Sequence, residues 1–413
     1  MIAAYKAARV RLALCAVFFA LGLMAVYAKQ GLVVLLILSI AAQTGVLEAL
    51  DALRDYSRNL IVQIGMLFTA WAAVSLFWTP HPGFDFVRVL LVLVMGLLLI
   101  SAVRKMPEAD AARAVKWAMI GSLLMVAFLG LEVWSAGAFL RIGAPDWGPL
   151  PPGQTDPLYE IASRGTAILA PLTFVYAQLV YAKAGRFGLA ALFVVAALAV
   201  CASSTIDAAW VAILAGAIGF GVTLRLPRFA LVALFGGLIA YAVWAPVIST
   251  TLLTPETIGV DSGKAMVGTA SRVGIWHKAS QLIAQRPVVG YGFDSTRVLA
   301  KAAQGEVTPG TPWLALPLHT HNAVIQIWLE LGGVGIAIVI AMLGAAARAL
   351  WPMTAEPTRL AVTLATIAST AVMILTSYGV WQHWWIATWM FTAALLVLAL
   401  RNLKKVSLPQ AAQ

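Results

Sequence analysis

Long apolar stretches recur along the chain, separated mostly by short polar breaks. They lie near 10–28, 30–50, 60–78, 86–103, 114–134, 164–182, 187–203, 206–224, 229–247, 320–347, 358–378 and 382–400. A bilayer core takes about 20 residues of helix to cross, and over such runs only helices satisfy their own backbone. The pattern predicts an all-α polytopic membrane protein with about 12 transmembrane helices. Two breaks are longer than the rest and fall on the same side. One, near 135–163, contains Pro145, Pro149, Pro151, Pro152 and Pro157 and is expected to be rigid and irregular. The other runs over 248–319.

The longer loop has structure of its own. Val273, Trp276, Leu282 and Ile283 are spaced along one helical face between Gly268 and Gln285, and Pro287 stops that helix. After the turn Gly290-Tyr291-Gly292-Phe293, a second short helix is expected with Asp294 as N-cap, carrying Arg297 and Lys301. Both helices are amphipathic enough to lie on the bilayer surface. The organisation expected is therefore helices 1–9 over 1–247, a large outer loop over 248–319, and helices 10–12 with a short tail over 320–413.

Composition agrees with the pattern. Of 413 residues, 62% are hydrophobic and 11% charged, too apolar for a soluble or a disordered chain. The net charge of +11 suggests an anionic partner or simply a bias to the inner leaflet, and the loops decide between them. With a cytoplasmic N-terminus, 18 of the 28 Lys and Arg residues fall on the inner side, while the outer side holds 11 of the 17 acids. The basic excess is thus topological, both termini are expected in the cytoplasm, and no nucleic acid is implied. The first stretch follows Lys6, Arg9 and Arg11 and ends in Val26-Tyr27-Ala28, as a signal peptide would; the second stretch beginning at once favours a helical hairpin. Cys15 and Cys201 lie in apolar runs and read as small buried hydrophobes.

Three outer residues carry candidate chemistry. Arg164 stands at the start of the sixth helix, Arg272 in the first loop helix, and His321 at the start of the tenth. Arginine stays charged and holds phosphate oxygens bidentately, so a pair suits a diphosphate. The plainer readings are snorkelling for Arg164 and lipid contact for Arg272. A histidine in a first helical turn feels the positive end of the dipole and remains a free base near neutral pH; the plainer reading is a cap. His319 and His321 as a metal pair lack a nearby carboxylate, so no metal is expected. Lys278, Arg286, Arg297 and Lys301 add positive field or are simply solvated. His81, between two prolines, reads as structural. Trp381, Trp384, Trp385 and Trp389 read as an interfacial belt, with a sugar-stacking platform as the alternative. Glu108 and Asp110 follow Pro107 at a helix start and read as capping acids. Gly332, Gly333 and Gly335 suit close helix packing.

The stretch His321-Asn322, nine residues, then Gly332-Gly333-Val334-Gly335, with Ser271-Arg272…Trp276 and Arg286-Pro287…Gly290-Tyr291-Gly292 upstream, resembles the signature of the O-antigen ligases and their relatives. O-antigen polymerases and protein oligosaccharyltransferases share that signature; the absence of a long C-terminal domain favours the ligases. The resemblance implies a GT-C-like glycosyltransferase of the bacterial inner membrane with its active site in the large periplasmic loop region. It implies transfer of a polysaccharide from undecaprenyl pyrophosphate to a sugar hydroxyl of lipid A-core, with inversion and without metal, nucleotide or other cofactor. His321, Arg272 and Arg164 match that family's functional residues. His319, Lys278, Arg297 and Lys301, with the two arginines, are expected to contact substrate. A monomer is expected. A transporter, the alternative of another class, would need charges within its helices, and only Glu132 and Glu330 qualify.

Overall fold

The computed structural model describes residues 2–41, 46–81, 83–142, 157–258, 267–303 and 316–403, to which the structural statements below refer. Every regular element among them is helical. In chain order they are α1 (Ile2–Tyr27), α2 (Gly31–Ala41), α3 (Val46–Ser57), α4 (Leu60–Val74), α5 (Phe84–Lys105), α6 (Glu108–Trp134), α7 (Pro157–Ala184) and α8 (Phe187–Ala202). There follow α9 (Asp207–Arg225), α10 (Pro227–Thr251), α11 (Val267–Gln285), α12 (Thr296–Ala303), α13 (Ala323–Leu350), α14 (Pro357–Thr376) and α15 (His383–Arg401).

Nine helical segments among the described residues are long and apolar enough to cross a membrane, and the shorter apolar helices Arg11–Tyr27, Gly31–Ile40 and Phe187–Ala202 lie among them. The chain is a multi-pass membrane protein. Each of the twelve stretches holds helix, but not all hold a full span. The stretch 30–50 is divided: α2 is apolar and ends at Ala41, whereas α3 carries Glu48, Asp51, Arg54 and Asp55. Charges at that density cannot face hydrocarbon, which is why one continuous span is not made there. Most of the proline-rich loop lies outside the described residues, but its last part is helix, because α7 already starts at Pro157.

The window of α7 is 89% buried, far more than any other span, so it is the axis of the bundle. It touches α1, α6, α8, α9, α14 and α15. Its N-terminal end is therefore surrounded by neighbouring helices. At that end Thr79 donates to the Phe293 carbonyl at 2.7 Å and Tyr159 to the Ser203 carbonyl at 2.6 Å. The opposite end is closed by Arg401, which donates to the carbonyls of Val103 and Met106, and by the Arg11–Asp110 pair at 3.4 Å. Glu108 and Asp110 do open α6 as first-turn acids.

The expected surface helix of the large loop is not laid on lipid. α11 packs on α10 and α13 and buries Val273, Ile275, Ala279 and Ile283. The segment after it is spliced into a break in α13. At Gly332 the backbone leaves the helix (φ 65°, ψ −167°). Around this break the amides of Tyr291 and Gly292 donate to the carbonyls of Leu329 and Glu330 at 2.9 and 2.8 Å. In return, the amides of Gly333 and Val334 donate to the carbonyls of Pro287 and Val288 at 2.8 and 3.2 Å. The glycines read as close-packing sites thus include one, Gly332, that is needed for its backbone conformation.

Candidate active site

The entry to α13 fixes His321. Asn322 is the N-cap, its side chain accepting from the amides of Val324 and Ile325 at 3.0 and 3.2 Å. The Thr320 hydroxyl donates to the Asn322 carbonyl at 2.8 Å, and the Trp276 indole of α11 donates to the Thr320 carbonyl at 2.9 Å. His321 therefore precedes the helix rather than lying in its first turn, and it takes a left-handed backbone (φ 56°). The expectation that the dipole of the first turn governs its charge is corrected accordingly. What governs it is burial, which lowers its pKa, with the positive charge of Arg272 acting in the same direction.

The ring has a fixed partner. Nδ1 lies in hydrogen-bond contact with the carbonyl of Ser377, at the end of α14. A carbonyl only accepts, so Nδ1 carries the proton and the neutral ring keeps its lone pair on Nε2. The arrangement is the one an imidazole base needs: one nitrogen held by an acceptor, the other free to take a proton.

Positive charge gathers round the next residue, Tyr378. Arg272, half-buried on α11, faces Asp207 at the start of α9 and Tyr378; burial lowers its pKa, leaving it a cation at neutral pH. Arg164 lies two turns into α7 rather than at its start, and pairs with Glu160 one turn back at 3.3 Å. Both members of that pair are more than a third exposed, so it binds the guanidinium weakly. Tyr378 itself is pushed up to about 12 by burial, against the pull of Arg164 and Arg272, and stays neutral. The sequence reading missed two groups here: Tyr378, and Lys29 in the turn after α1. The Lys29 ammonium is 4.8 Å from the centre of the Trp384 ring and 6.0 Å from that of Tyr378. Lys29, Tyr27, Gln30, Ile161 and Arg164 line one cavity of about 230 Å³.

The other residues expected at the substrate are distributed differently. The His319 ring packs 4.2 Å from that of His321. Burial, then the charges of His321 and Arg297, push it down to about 3. His319 therefore stays neutral in the fold while an unfolded chain takes up a proton below about 6.5. Stability is full above that pH and lost as pH falls; at pH 4.5 this residue alone accounts for at most about 3 kcal/mol. Thermal midpoints in detergent between pH 7.5 and 4.5 are expected to fall less steeply in His319→Asn. Arg297 makes a 2.7 Å bond from its Nε to the Asp294 carboxylate, and α12 starts at Thr296, so Asp294 is not at its cap position as expected. Lys278 is half-buried on α11 and Lys301 exposed on α12.

The tryptophan cluster is neither a lipid belt nor an open platform. Trp381, Trp384 and Trp385 are buried, and the Trp381 indole donates to the Glu330 carboxylate. Glu330, fully buried in α13, accepts in addition from the Thr296 hydroxyl, the Gln326 amide and the backbone amides of Asp294 and Thr296. This acidic side chain inside an apolar stretch ties α13 to the loop and to the α14–α15 link. His81, Asp85 and Asp294 place three possible ligand atoms within 4.8 Å of one another. The His81 Nδ1 accepts from the Gly83 amide at 3.4 Å, which puts the ring proton on the Nε2 that faces Asp294. Two of the three already have cationic partners, Asp85 in Arg88 at 3.1 Å and Asp294 in Arg297 at 2.7 Å.

Residues 191–340 match a family model described as O-antigen ligase. The matched region runs from α8 into α13 and contains Arg272, Lys278, Arg297, Lys301, His319 and His321. Over longer ranges the chain is similar to provisionally named polysaccharide ligases of Rickettsia. It is 24% identical to one from Rickettsia felis over 87% of this chain and 85% of that protein. It is 26% identical to one from Rickettsia bellii over 86% of this chain and 85% of that protein.

Proposed function

We infer, for a chain that belongs to the O-antigen ligase family, that it is a membrane glycosyl-transfer enzyme moving a polysaccharide from a lipid diphosphate to a sugar hydroxyl. The donor on this reading is undecaprenyl-pyrophosphate-linked, the acceptor is lipid A-core, and the site faces the periplasm of the bacterial inner membrane. The distribution of Lys and Arg, 18 of 28 on the other side, supports that orientation. The observation that carries the reading is the His321 ring, with Nδ1 held by the Ser377 carbonyl and Nε2 left as a base beside Arg272.

His321 Nε2 takes the proton of the acceptor hydroxyl as its oxygen bonds to the anomeric carbon. The bond from that carbon to the donor diphosphate breaks, and its electron pair leaves with the diphosphate oxygen. Attack comes from the face opposite the leaving group, so configuration inverts. Arg272 and Arg164 hold the diphosphate and stabilise the charge it gains. The depressed pKa of His321 keeps it in the accepting form at neutral pH.

The test is transfer by purified protein from lipid-linked polysaccharide to lipid A-core, resolved by gel. A core band raised by the whole polysaccharide, with inverted anomeric configuration by NMR, is the expected product. A longer lipid-linked ladder with untouched core would replace this reading by a polymerase. Arg272→Ala is expected to lower kcat/KM by about 100-fold or more, and Arg272→Lys to recover only part of it, because the ammonium lacks the bidentate fork. Full recovery by lysine would mean that only charge is needed there.

A further inference from the structure

We propose that Lys29 is a third cationic contact for the phosphate groups of the lipid-linked donor, acting from the α1–α2 turn across the cavity it shares with Arg164. The substrate rests on the function proposed above; the anion site does not. Lys29 and Arg164 repel each other across this cavity. Among the described residues no carboxylate lies within salt-bridge reach of Lys29, and the only one on Arg164 is the exposed Glu160. A half-buried ammonium that shares a cavity with a guanidinium, with no described carboxylate in salt-bridge reach of it, is costly unless an anion joins them. The ring faces of Trp384 and Tyr378 hold the ammonium in place and supply only part of the missing negative charge.

The surroundings suit an anion that carries an apolar chain. Immediately after Lys29, α2 turns Val34, Ile37 and Leu38 outward, each about half exposed, so an apolar track continues from the charged cavity along the outside of the bundle. A phosphate ester at Lys29 and Arg164 would have its lipid tail along α2. Two sources share this chemistry, the prenyl diphosphate of a donor and the headgroup of an ordinary anionic phospholipid.

Burial and Arg164 also lower the Lys29 pKa to about 8. At the same end of the elements packed around the turn, the other charged or titratable groups are Tyr27 on α1, Glu132 on α6, Tyr159 and Glu160 on α7, Asp85 and Arg88 on α5, Tyr378 in the α14–α15 link and His383 on α15. None of these acts on Lys29 as Arg164 does. A cation with this pKa is lost as pH rises through about 8, and an arginine in its place is not.

The experiment uses the full chain in nanodiscs of zwitterionic lipid, with farnesyl diphosphate as probe. Lys29→Ala is expected to weaken its binding about tenfold and to raise the donor KM by a similar factor, with kcat within about threefold. Lys29→Arg is expected to restore both and to remove the fall in kcat/KM of the unaltered protein above pH 8. Unchanged binding and donor KM in a folded Lys29→Ala would overturn the inference. So would a Lys29-dependent stabilisation by phosphatidylglycerol with no effect on farnesyl diphosphate, which would assign the site to bilayer lipid. If the unaltered protein transfers nothing but Lys29→Ala still loses the probe, the proposed reaction fails and the anion site stands. Should Lys29→Ala fold poorly, Lys29→Gln keeps most of the side chain without its charge and is read the same way.

Discussion

Replacing His321 by alanine is expected to reduce polysaccharide transfer by about 100- to 10,000-fold while leaving the thermal midpoint close to that of the unaltered protein. Among the described residues the ring makes one polar contact, to the Ser377 carbonyl, and takes no part in the network that closes α13 onto the loop. Its loss removes the proton acceptor and spares the Glu330 strut and the Asn322 cap. The pH profile gives a second check. Because burial and Arg272 lower the pKa of His321, the acid-side decline of kcat/KM is expected at lower pH than for an ordinary histidine. Transfer by His321→Ala at an undiminished rate would remove the base from the mechanism, whatever the fate of the arginines.

The largest effect on stability is expected at Gly332. Its φ of 65° with ψ of −167° belongs to a region that is almost confined to glycine. A Cβ there would also run into the carbonyl of Val288 and lie 2.6 Å from the amide nitrogen of Val289. Gly332→Ala is therefore expected to cost about 3 kcal/mol or more, combining backbone strain with loss of the exchanged hydrogen bonds. Gly344→Ala, farther along α13 where nothing lies within 4 Å of the added carbon, is the control and is expected to be neutral or slightly stabilising. Equal thermal midpoints for the two variants would mean that the break in α13 is not held as described.

Periodicity made most of the helices legible, because hydrocarbon and the bundle interior both reward continuous apolar runs. It could not say where a run is divided. In 30–50, Glu48 and Asp51 mark the change from the apolar α2 to the amphipathic α3. His321 and Arg164 stood out as polar groups at expected helix starts, and Arg272 as a cation in the loop helix. Lys29 did not, since a lone lysine in a short turn looks solvated until Trp384 and Tyr378 are brought beside it from the far end of the chain. The tryptophans misled for a related reason: aromatic residues at a helix start look the same in sequence whether they face lipid or pack inward. Only the tertiary arrangement gives Trp381 its carboxylate partner, Glu330.

The hydrogen bond between His321 and Ser377 has a consequence for biogenesis. The ring and the carbonyl that orients it are 56 positions apart, and Tyr378 and Trp384 arrive later still. While the chain emerges from the ribosome, the histidine is inserted before the group that fixes its tautomer exists in the bilayer. The tautomer is therefore not fixed until the end of α14 reaches the entry of α13, and a nascent protein lacking the α14–α15 hairpin would reach the membrane with its histidine unset.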